Sequence, residues 1–415
     1  MSVLAPGNSC KKICMITHSH YESDNRVRRY AEALAKRGDH VDVIALKLGP
    51  DTPALEAVHG VTVYRLQTRE RNERSKWTHA WRLIRFLFSS ARFLTQRHRD
   101  LRYDVVHVHN VPDFLVFAAW YPKFHGAKVI LDIHDVVPEL FAAKFATKVG
   151  NLFVRFLRVV EKMSIAFADH VIISNDIWRE KLISRSVSRE KSSAFVNHVD
   201  RGIFYRRPRT RDDGKLILLF PGVLQRHQGL DVAIRAFASI ACSIPNAEFH
   251  IYGSGDAKLD LIGLTAALGL SDRVKFFKGI PLDQMPDVIA NADLGVVPKL
   301  ANSFGNEAYS TKIMEFMSQG VPVVLSRTKI DSFYFDPSVV RFFEPGDSQA
   351  LAEAMLDIIH HPALREKLIK NALAYVERND WDNKKQEYFK LIDTLGTEQR
   401  NLLKRATVNP AKPLT

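Results

Sequence analysis

The sequence has few of the features that mark secreted, metal-stapled or membrane-spanning proteins. It contains three cysteines in 415 residues, and their scattered positions (Cys10, Cys14 and Cys242) argue against a disulfide framework and a cysteine-based zinc site. Met1–Lys12 lacks the apolar stretch of a signal peptide, and no stretch reaches the roughly 18 uncharged apolar residues needed to span a bilayer. We therefore expect a cytoplasmic protein whose membrane contacts, where it makes any, lie at the membrane surface.

Acidic residues are outnumbered by basic ones. The chain has 59 Lys and Arg against 46 Asp and Glu, a formal net charge of +13, which predicts attraction to anionic partners. A large share of this excess lies in residues 67–102, which hold ten basic and three acidic residues. No recognition helix or aromatic stacking platform accompanies the charge, so we expect no nucleic-acid partner.

Apolar runs of strand length alternate with helical patterns along the whole chain. A polar, Arg-rich stretch, Arg201–Lys215, separates two halves that repeat this alternation. The pattern predicts two Rossmann-like α/β domains with parallel sheets facing a central crevice. The predicted strands are Ile13–Thr17, Val41–Leu46, Val105–Val108, Lys128–Ile133 and His170–Ser174 in the first half, and Leu216–Phe220, Glu248–Tyr252, Leu294–Val297 and Pro322–Leu325 in the second.

The predicted domain boundaries follow from the same pattern. Residues 1–205 form the first domain and 206–378 the second, followed by a helix at 379–397 that can return to the first domain and a tail at 398–415. Asp380-Trp381-Asp382 opens this helix and is more typical of a helix cap than of a metal site. We expect neither a metal ion nor a cofactor.

Two glutamates bracket a predicted helix start. Glu307 and Glu315 are separated by seven residues, and Ser310 or Thr311 can cap the helix between them. The free backbone N–H groups and positive dipole end of such a helix would face an anion, while a carboxylate further along can bind paired ribose hydroxyls. The arrangement suits a nucleotide diphosphate, although either glutamate alone can equally be a solvated charge.

The glutamate spacing and the trailing Gly320-Val-Pro-Val-Val324 resemble the signature of glycosyltransferase family four. Other matching motifs follow in order, so the resemblance covers roughly residues 11–395. It implies a GT-B fold, with the acceptor on the first domain, the nucleotide sugar on the second, and retention at the anomeric carbon. The other motifs are Asp104-Val-Val-His107-Val-His109, His134-Asp135, Val196-Asn197-His198-Val199-Asp200 with Phe204, Tyr252-Gly253-Ser-Gly255-Asp256, Ala292-Asp293-Leu294 and Trp381.

The resemblance also implies roles for single residues. Glu315 would bind the ribose, Glu307 would face the donor sugar, and His134 would contact the sugar or the departing diphosphate. Gly222 and Gly253 end strands at the donor site.

The chain departs from the family pattern at the diphosphate clamp. Many members carry an Arg and a Lys in the loop after the first strand of the second domain, where this chain has Val223 and Gln228. A departing diphosphate still needs positive charge, although each nearby cation can also be a solvated surface residue. The candidates are, in order of preference, Lys312, Lys299 and Arg226.

The polar loop Thr17–Arg26 replaces the glycine-rich turn of many relatives and suits acceptor binding. Its two histidines lack a third ligand, so a substrate or structural contact is a better interpretation than a metal site. Arg26 stands where it can meet a phosphate of the acceptor. The predicted acceptor-binding residues are His18, His20, Arg26 and His109.

Two stretches of the first half combine apolar and basic residues. A basic helix with a face of aromatic residues is typical of a membrane interface, and the alternative is that the apolar face packs onto its own sheet. For the second stretch, Phe141–Val159, which contains Lys144, Lys148, Arg155 and Arg158, this alternative carries more weight than for the first. We predict peripheral binding to the inner face of the membrane through the basic segment 67–102. Its apolar face consists of Trp77, Trp81, Ile84 and Phe88.

These features predict a hexosyltransferase of polysaccharide or glycoconjugate biosynthesis. Its donor would be a UDP- or GDP-sugar and its acceptor a glycan or a polyprenyl-linked sugar. A nucleotide-sugar 2-epimerase on the same scaffold is one alternative, although the glutamate spacing resembles the transferase pattern better. An inactive nucleotide-sugar-binding relative is the other, because the diphosphate clamp is missing.

Overall fold

The computed structural model describes residues 10–68, 76–144, 151–302 and 304–408, without the side chains of residues 76–77, 79, 143–144 and 398–408. The described chain divides into two compact units. One contains the residues up to Val196 and those from Lys385 onward, and the other is Asn197–Lys384. Each unit is built on a largely parallel sheet flanked by helices, which confirms the predicted fold class. The crevice between the sheets stays a prediction.

The first unit contains an eight-stranded sheet. Its strands are β1 (Lys12–His20), β2 (His40–Lys47), β3 (Leu55–Val58), β4 (Val61–Thr68), β5 (Val105–His109), β6 (Lys128–Ile133), β7 (His170–Ile173) and β8 (Ser192–Ala194). Its helices are α1 (Asn25–Arg37), α2 (Lys76–Leu101), α3 (Trp120–Phe124), α4 (Val137–Lys144), α5 (Leu152–Phe167) and α6 (Asp176–Ile183). The strand order is β3-β4-β2-β1-β5-β6-β7-β8, and only the β3–β4 pair is antiparallel. The order in which the chain adds strands to the sheet changes direction between β1 and β5. Doubly wound sheets bind their ligands at such a switch point.

The second unit contains a six-stranded parallel sheet. Its strands are β9 (Leu216–Pro221), β10 (Ala247–Tyr252), β11 (Val274–Phe277), β12 (Leu294–Val297), β13 (Val323–Ser326) and β14 (Arg341–Phe343). Its helices are α7 (Leu230–Ile240), α8 (Lys258–Ala267), α9 (Met285–Ala290), α10 (Thr311–Gln319), α11 (Lys329–Tyr334), α12 (Ser348–His360) and α13 (Pro362–Asn379). The strand order β11-β10-β9-β12-β13-β14 is that of a Rossmann fold, with its switch point between β9 and β12.

Both faces of the second sheet are covered, which explains its apolar strands. On β9, Leu218 and Phe220 pack into one hydrophobic cluster together with Phe237 of α7. Leu219 points to the opposite face, where it joins a second cluster with Phe316 of α10. A strand buried on both sides has no solvent face, so its sequence is an uninterrupted apolar run.

The last helix, α14 (Trp381–Val408), begins in the second unit and ends in the first. Asp380 caps it by accepting a hydrogen bond from the backbone N–H of Asn383 at 2.9 Å. In the first unit, the hydroxyl of Tyr388 lies 2.9 Å from Nδ1 of His107. Residues 398–408, predicted to be tail, belong to this helix.

The boundary between the units lies earlier than the predicted position after residue 205. Val199 and Phe204 pack into the core of the second unit, so the chain joins that unit directly after Val196. The predicted strands are all present, with small differences at their ends. The strands that the sequence did not predict are β3, β4, β8, β11 and β14.

Helices α2 and α5 expose large apolar side chains to solvent. The alternative that the second stretch packs its apolar face onto the sheet is wrong where α5 forms part of that stretch, because Leu152, Phe156 and Val159 are exposed. The side chain of Trp77 and residues 69–75 and 145–150 of the two stretches lie outside the described residues. No described helix is both long and apolar enough to cross a membrane.

Candidate active site

In the second unit, the loops that follow β9 and β10 lie side by side. The N–H of Gly222 donates to the carbonyl of Tyr252, and that of Leu224 to the carbonyl of Ser254, both at 2.9 Å. Gly253 has a φ of +146°, and a Cβ there would lie 1.8 Å from the carbonyl oxygen of Gly222. Only glycine permits this approach, so the predicted donor residues Gly222 and Gly253 form a close backbone contact beside the switch point.

Helix α10 begins beside the same loops. Ser310 occupies its N-cap position without a side-chain capping hydrogen bond, which leaves the first N–H groups of the helix uncapped. The Nζ of Lys312 donates to Oε1 of Gln228 at 3.1 Å and lies 4.3 Å from the centre of the Phe220 ring. It also lies 3.0 Å from the position that a Cβ would take at Gly222. The uncapped start of α10 and the cation Lys312 therefore both lie beside the loop that follows β9 and contains Gly222, which we call the glycine loop.

Lys312 forms no ion pair with any carboxylate that the structure describes. Burial lowers the pKa of Lys312 to about 8, against an opposing effect of Glu315. Gln228 is one of the two residues that replace the diphosphate clamp of the family, and here it hydrogen-bonds a cation supplied by another element. A half-buried lysine at a helix N-terminus is arranged to bind an anion.

The two glutamates lie on either side of this helix start, as predicted. Glu315 is half-buried in the second turn of α10, where burial raises its pKa and a hydrogen bond from the Thr311 hydroxyl opposes the rise. Glu307 lies in the preceding turn, and its backbone N–H donates to the carbonyl of Phe304 at 3.1 Å. What the two carboxylates bind stays a prediction.

The other two predicted cations have partners of their own. Lys299 is buried, and its Nζ lies 2.8 Å from Oδ2 of Asp331 and 2.8 Å from the carbonyl oxygen of Ala308. Arg226 has a side chain that is 88 % exposed and pairs with Asp260 at 3.3 Å. Lys299 therefore holds the loop before α10 in place, and of the three predicted cations only Lys312 combines partial burial with the absence of a described carboxylate partner.

In the first unit, a buried carboxylate on β6 organises the predicted acceptor residues. Asp132 accepts two hydrogen bonds from the guanidinium of Arg26, each at 2.8 Å, and Arg26 also donates to the carbonyl of Phe195 at 2.8 Å. Although burial raises it, the pKa of Asp132 is held well below its usual value by Arg26 and His134. The arginine that the sequence placed against an acceptor phosphate is buried and bound to Asp132.

His134 directly follows β6 at the carboxyl edge of the sheet. Its Nε2 lies 3.2 Å from Oδ2 of Asp132 and 3.1 Å from Nδ1 of His109. Its backbone N–H donates to Oδ1 of Asn110 at 2.8 Å, which fixes the residue from a second side. His134 is partly exposed whereas His109 is fully buried, so only His134 of the two reaches the surface.

The histidines of the predicted acceptor loop lie at the end of β1. His18 is half-buried and meets the ring of Phe86 edge-on, with 5.1 Å between the ring centres. His20 is also half-buried, and its Nδ1 has no hydrogen-bond partner among the described residues. Both therefore lie at the switch point of the first sheet, and their predicted contact with the acceptor stays a prediction.

Asp24, Asn110 and Asp132 are polar residues of this region that the sequence analysis missed. Asp24 accepts a hydrogen bond from the hydroxyl of Ser19 at 2.6 Å. Burial raises its pKa, but the charge of His134 and the bond from Ser19 bring it below its usual value. A signal was available for Asp132, because a carboxylate inside a buried apolar strand requires a charged or hydrogen-bonding partner.

His107, His109 and Asp132 are close enough to one another to hold a metal ion. Both oxygens of Asp132, however, already accept hydrogen bonds from Arg26. A guanidinium bound to the same carboxylate repels a cation, so the group is better explained as a buried hydrogen-bond network than as a metal site.

Two adjoining family profiles match the chain. "Glycosyl transferase 4-like domain" matches residues 23–197, and "Glycosyl transferases group 1" matches residues 203–374. The chain belongs to the group 1, family-four type of glycosyltransferases. This membership confirms the resemblance drawn from the glutamate motif.

Two relatives agree with this family assignment. The chain is 24 % identical over 378 residues to an uncharacterized glycosyltransferase of Methanocaldococcus jannaschii, covering 85 % of this chain and 89 % of that protein. It is 26 % identical over 381 residues to D-inositol 3-phosphate glycosyltransferase of Actinosynnema mirum, covering 85 % and 87 %.

Two solved structures identify the fold of this glycosyltransferase as GT-B. Sucrose-phosphate synthase of Thermosynechococcus elongatus is similar with a TM-score of 0.74 at 20 % identity, over 96 % of this chain and 99 % of that chain. Anabaena HepE, solved with UDP and glucose, is similar with a TM-score of 0.69 at 18 % identity, over 95 % and 100 %.

Proposed function

We propose that the protein is a retaining, metal-independent hexosyltransferase that takes its sugar from a nucleotide diphosphate. The observation that carries this proposal is Lys312, a half-buried cation beside the uncapped start of α10 with no ion-pair partner among the described carboxylates. The family membership, and the UDP and UDP-glucose bound in HepE, support a nucleotide sugar as the anion.

The donor would lie along the carboxyl edge of the second sheet. Its diphosphate binds the first N–H groups of α10 and Lys312, and the glycine loop allows it to approach the backbone closely. Glu315 accepts hydrogen bonds from the ribose hydroxyls, and Glu307 faces the sugar. Lys299 and Arg226 take no direct part, because Lys299 is bound to Asp331 and Arg226 projects into solvent.

The proposed reaction relies on charge stabilisation rather than on a covalent intermediate. The bond between the anomeric carbon and the diphosphate oxygen breaks, and the acceptor hydroxyl forms a new bond to that carbon on the same face. The hydroxyl proton passes to the departing phosphate oxygen. Lys312 and the helix N-terminus stabilise the negative charge on the leaving group. His134, held by Asp132 and Asn110, contacts the sugar or the leaving diphosphate.

The acceptor would be a glycan or a polyprenyl-linked sugar bound by the first unit. His18 and His20 are the proposed contacts, since their loop lies at the switch point of the first sheet. Arg26 and His109 act through Asp132, because both are buried. We place the protein at the inner face of the membrane, bound through the basic segment 67–102.

A binding screen tests the donor site. Thermal shift and native mass spectrometry would be run without added metal against UDP, GDP, TDP, ADP and their common sugar conjugates. We expect one base to stabilise the protein and Glu315→Ala to abolish that shift. Glu353→Ala is the matched control, because Glu353 is an exposed glutamate of α12. No shift with any nucleotide would refute the donor site and favour an inactive relative.

Product analysis tests the reaction itself. The anomeric configuration of the product, read by NMR, is expected to match that of the donor sugar, and an inverted product would contradict retention. Incubation with the donor alone separates the transferase from the epimerase, because only an epimerase yields an isomerised nucleotide sugar without an acceptor.

A further inference from the structure

One side of the first sheet carries a layer of three helical elements. The 3-10 helix Asp113–Ala119 packs against both α2 and α5, and it runs directly into α3. The three elements therefore lie next to one another on the same side of the eight-stranded sheet, with α2 and α5 flanking the 3-10 helix.

Helix α5 presents an apolar stripe to solvent. The side chains of the stripe are between 48 % and 81 % exposed, and they extend about 16 Å along the helix. The buried side chains Val154, Glu161 and Ile165 lie on the opposite side of the helix, so the stripe points away from the sheet. The stripe consists of Leu152, Phe153, Phe156, Val159 and Met163.

Helix α2 presents a second apolar stripe in the same way. Trp81, Ile84 and Phe88 are between 40 % and 68 % exposed. They lie nearly opposite the buried Phe86 and Leu94 of the same helix. Because both helices rest on the same side of the sheet, their outward stripes face the same side of the unit. Helix α3, which packs against α2 and the 3-10 helix, adds the exposed Trp120 and Phe124.

The charges around the stripes are of one sign. Arg85 and Arg92 are exposed on α2, and Arg155 and Lys162 are exposed on α5. The only acidic residue of α5 is Glu161, which is buried and pairs with the guanidinium of Arg185 at 2.6 Å. In α2 the only acidic residue is Asp100, near its C-terminal end, and α3 has none.

We infer that α2, α3 and α5 form one continuous surface that binds an anionic lipid bilayer, with the two stripes below the head groups and the four basic residues among them. Apolar side chains rimmed by lysine and arginine match the two layers of such a membrane surface. A second copy of this chain is a poorer occupant, because pairing through this face would bring basic residues against basic residues. The inference adds α5 and α3 to the membrane contact proposed for residues 67–102, and it does not depend on the transferase activity.

Co-sedimentation of the full chain with vesicles tests the surface. The vesicles would be phosphatidylcholine alone, or phosphatidylcholine with about one third phosphatidylglycerol. We expect binding to the anionic vesicles, weakened by added salt. The variant Phe156→Ser/Met163→Ser on α5 and the variant Trp81→Ser/Phe88→Ser on α2 should each lower the partition coefficient at least about tenfold. Phe333→Ser is the control, because it removes an exposed aromatic ring in the second unit.

Each variant would also be tested for thermal unfolding and for its nucleotide-induced thermal shift, which should stay unchanged because the substituted side chains are exposed. Loss of vesicle binding in both helix variants, with the control unaffected, supports the surface. Undiminished binding of the α5 variant would overturn it, even if the α2 variant fails to bind. Equal binding of the intact protein to neutral and anionic vesicles would also overturn it. So would an intact protein that binds no vesicles but forms a dimer, if the α5 variant is a monomer.

Discussion

The affinity for a nucleotide sugar is expected to fall as the pH rises through the pKa of Lys312. Burial lowers this pKa to about 8 in the free protein, and a bound diphosphate favours the protonated form. Above that pH, binding must therefore be accompanied by uptake of a proton. A lysine with a pKa of about 8 is almost fully charged at pH 7 and about one tenth charged at pH 9, so the affinity should fall about tenfold, or about 1.4 kcal/mol, between these values.

Isothermal titration calorimetry across this pH range measures the effect directly. A nucleotide sugar suits this measurement better than the free nucleotide, because the phosphates of the nucleotide sugar do not change charge between pH 7 and pH 9. Buffers with different ionisation enthalpies would report the proton taken up. Lys312→Arg is the matched variant, since a guanidinium keeps its charge at every pH tested.

Comparison of the two proteins isolates Lys312 from other titrating groups. Any titration of the nucleotide base is common to both, so only the difference between the two profiles reports on the lysine. We expect the arginine variant to bind with nearly constant affinity over the range. The same tenfold decline in both proteins, or a flat profile in the unmodified one, would refute the assignment of Lys312 to the diphosphate.

Three further predictions concern glycine packing, an ion pair and a buried acid. Gly253→Ala should abolish nucleotide binding because its Cβ would meet a carbonyl oxygen at 1.8 Å, whereas Gly263→Ala, with nothing within 4 Å, should leave binding unchanged. Lys299→Met should lower the free energy of unfolding by about 3 kcal/mol in urea titrations, because it leaves Asp331 buried without its cation. Burial raises the pKa of Asp113 to about 7 from 3.8, so folded-state stability falls as the pH rises between these values. The Asp113→Asn variant should lose this pH dependence. Its melting temperature should exceed that of the unmodified protein at neutral pH but not in acid.

Most of the strands that the sequence predicted correctly are buried on both faces, whereas β10 alternates buried and half-buried residues. β9 is a continuous apolar run, and β6 is one apart from Lys128 and Asp132, because helices cover both sides of their sheets. β3 has an exposed pattern, and β8 contains only Ser192, Ser193 and Ala194, so neither shows a hydrophobic period. Such strands form because a neighbouring strand, β4 for β3 and β7 for β8, offers backbone hydrogen bonds. Their own sequences therefore do not show that they are strands.

The donor site was predictable where its parts are close in sequence. Glu307, Lys312 and Glu315 lie around one helix start, so a local pattern sufficed to place them together. The sequence could not show that Lys299 is paired and Lys312 is not, because the partner of Lys299, Asp331, lies at the start of a different helix, α11. The same holds for Arg26, whose partner Asp132 lies on a distant strand.

Hydrophobic periodicity predicted that apolar side chains share a face of α5, but not what covers that face. Glu161 is buried on the sheet side of the helix together with Val154 and Ile165, where it pairs with Arg185, and the apolar stripe faces outward. A lone glutamate opposite an apolar stripe is the usual amphipathic pattern, which predicts the glutamate in solvent and the stripe in the core. The reversal could not be predicted from α5 alone, because the partner of Glu161, Arg185, lies outside this helix.

The missing diphosphate clamp provides a final prediction. Gln228 stands where many relatives carry a lysine, and its side chain hydrogen-bonds Nζ of Lys312, so the two positions reach the same point in space. Lys312→Gln should weaken nucleotide-sugar binding at least about tenfold through loss of one charge-assisted contact. Adding Gln228→Lys to that variant should restore most of the affinity, because it returns a cation to the same place from the other element. If the double variant binds as weakly as Lys312→Gln alone, the position of the lysine on α10 matters and not only its charge, and the glycosyltransferase uses a clamp different from the one proposed here.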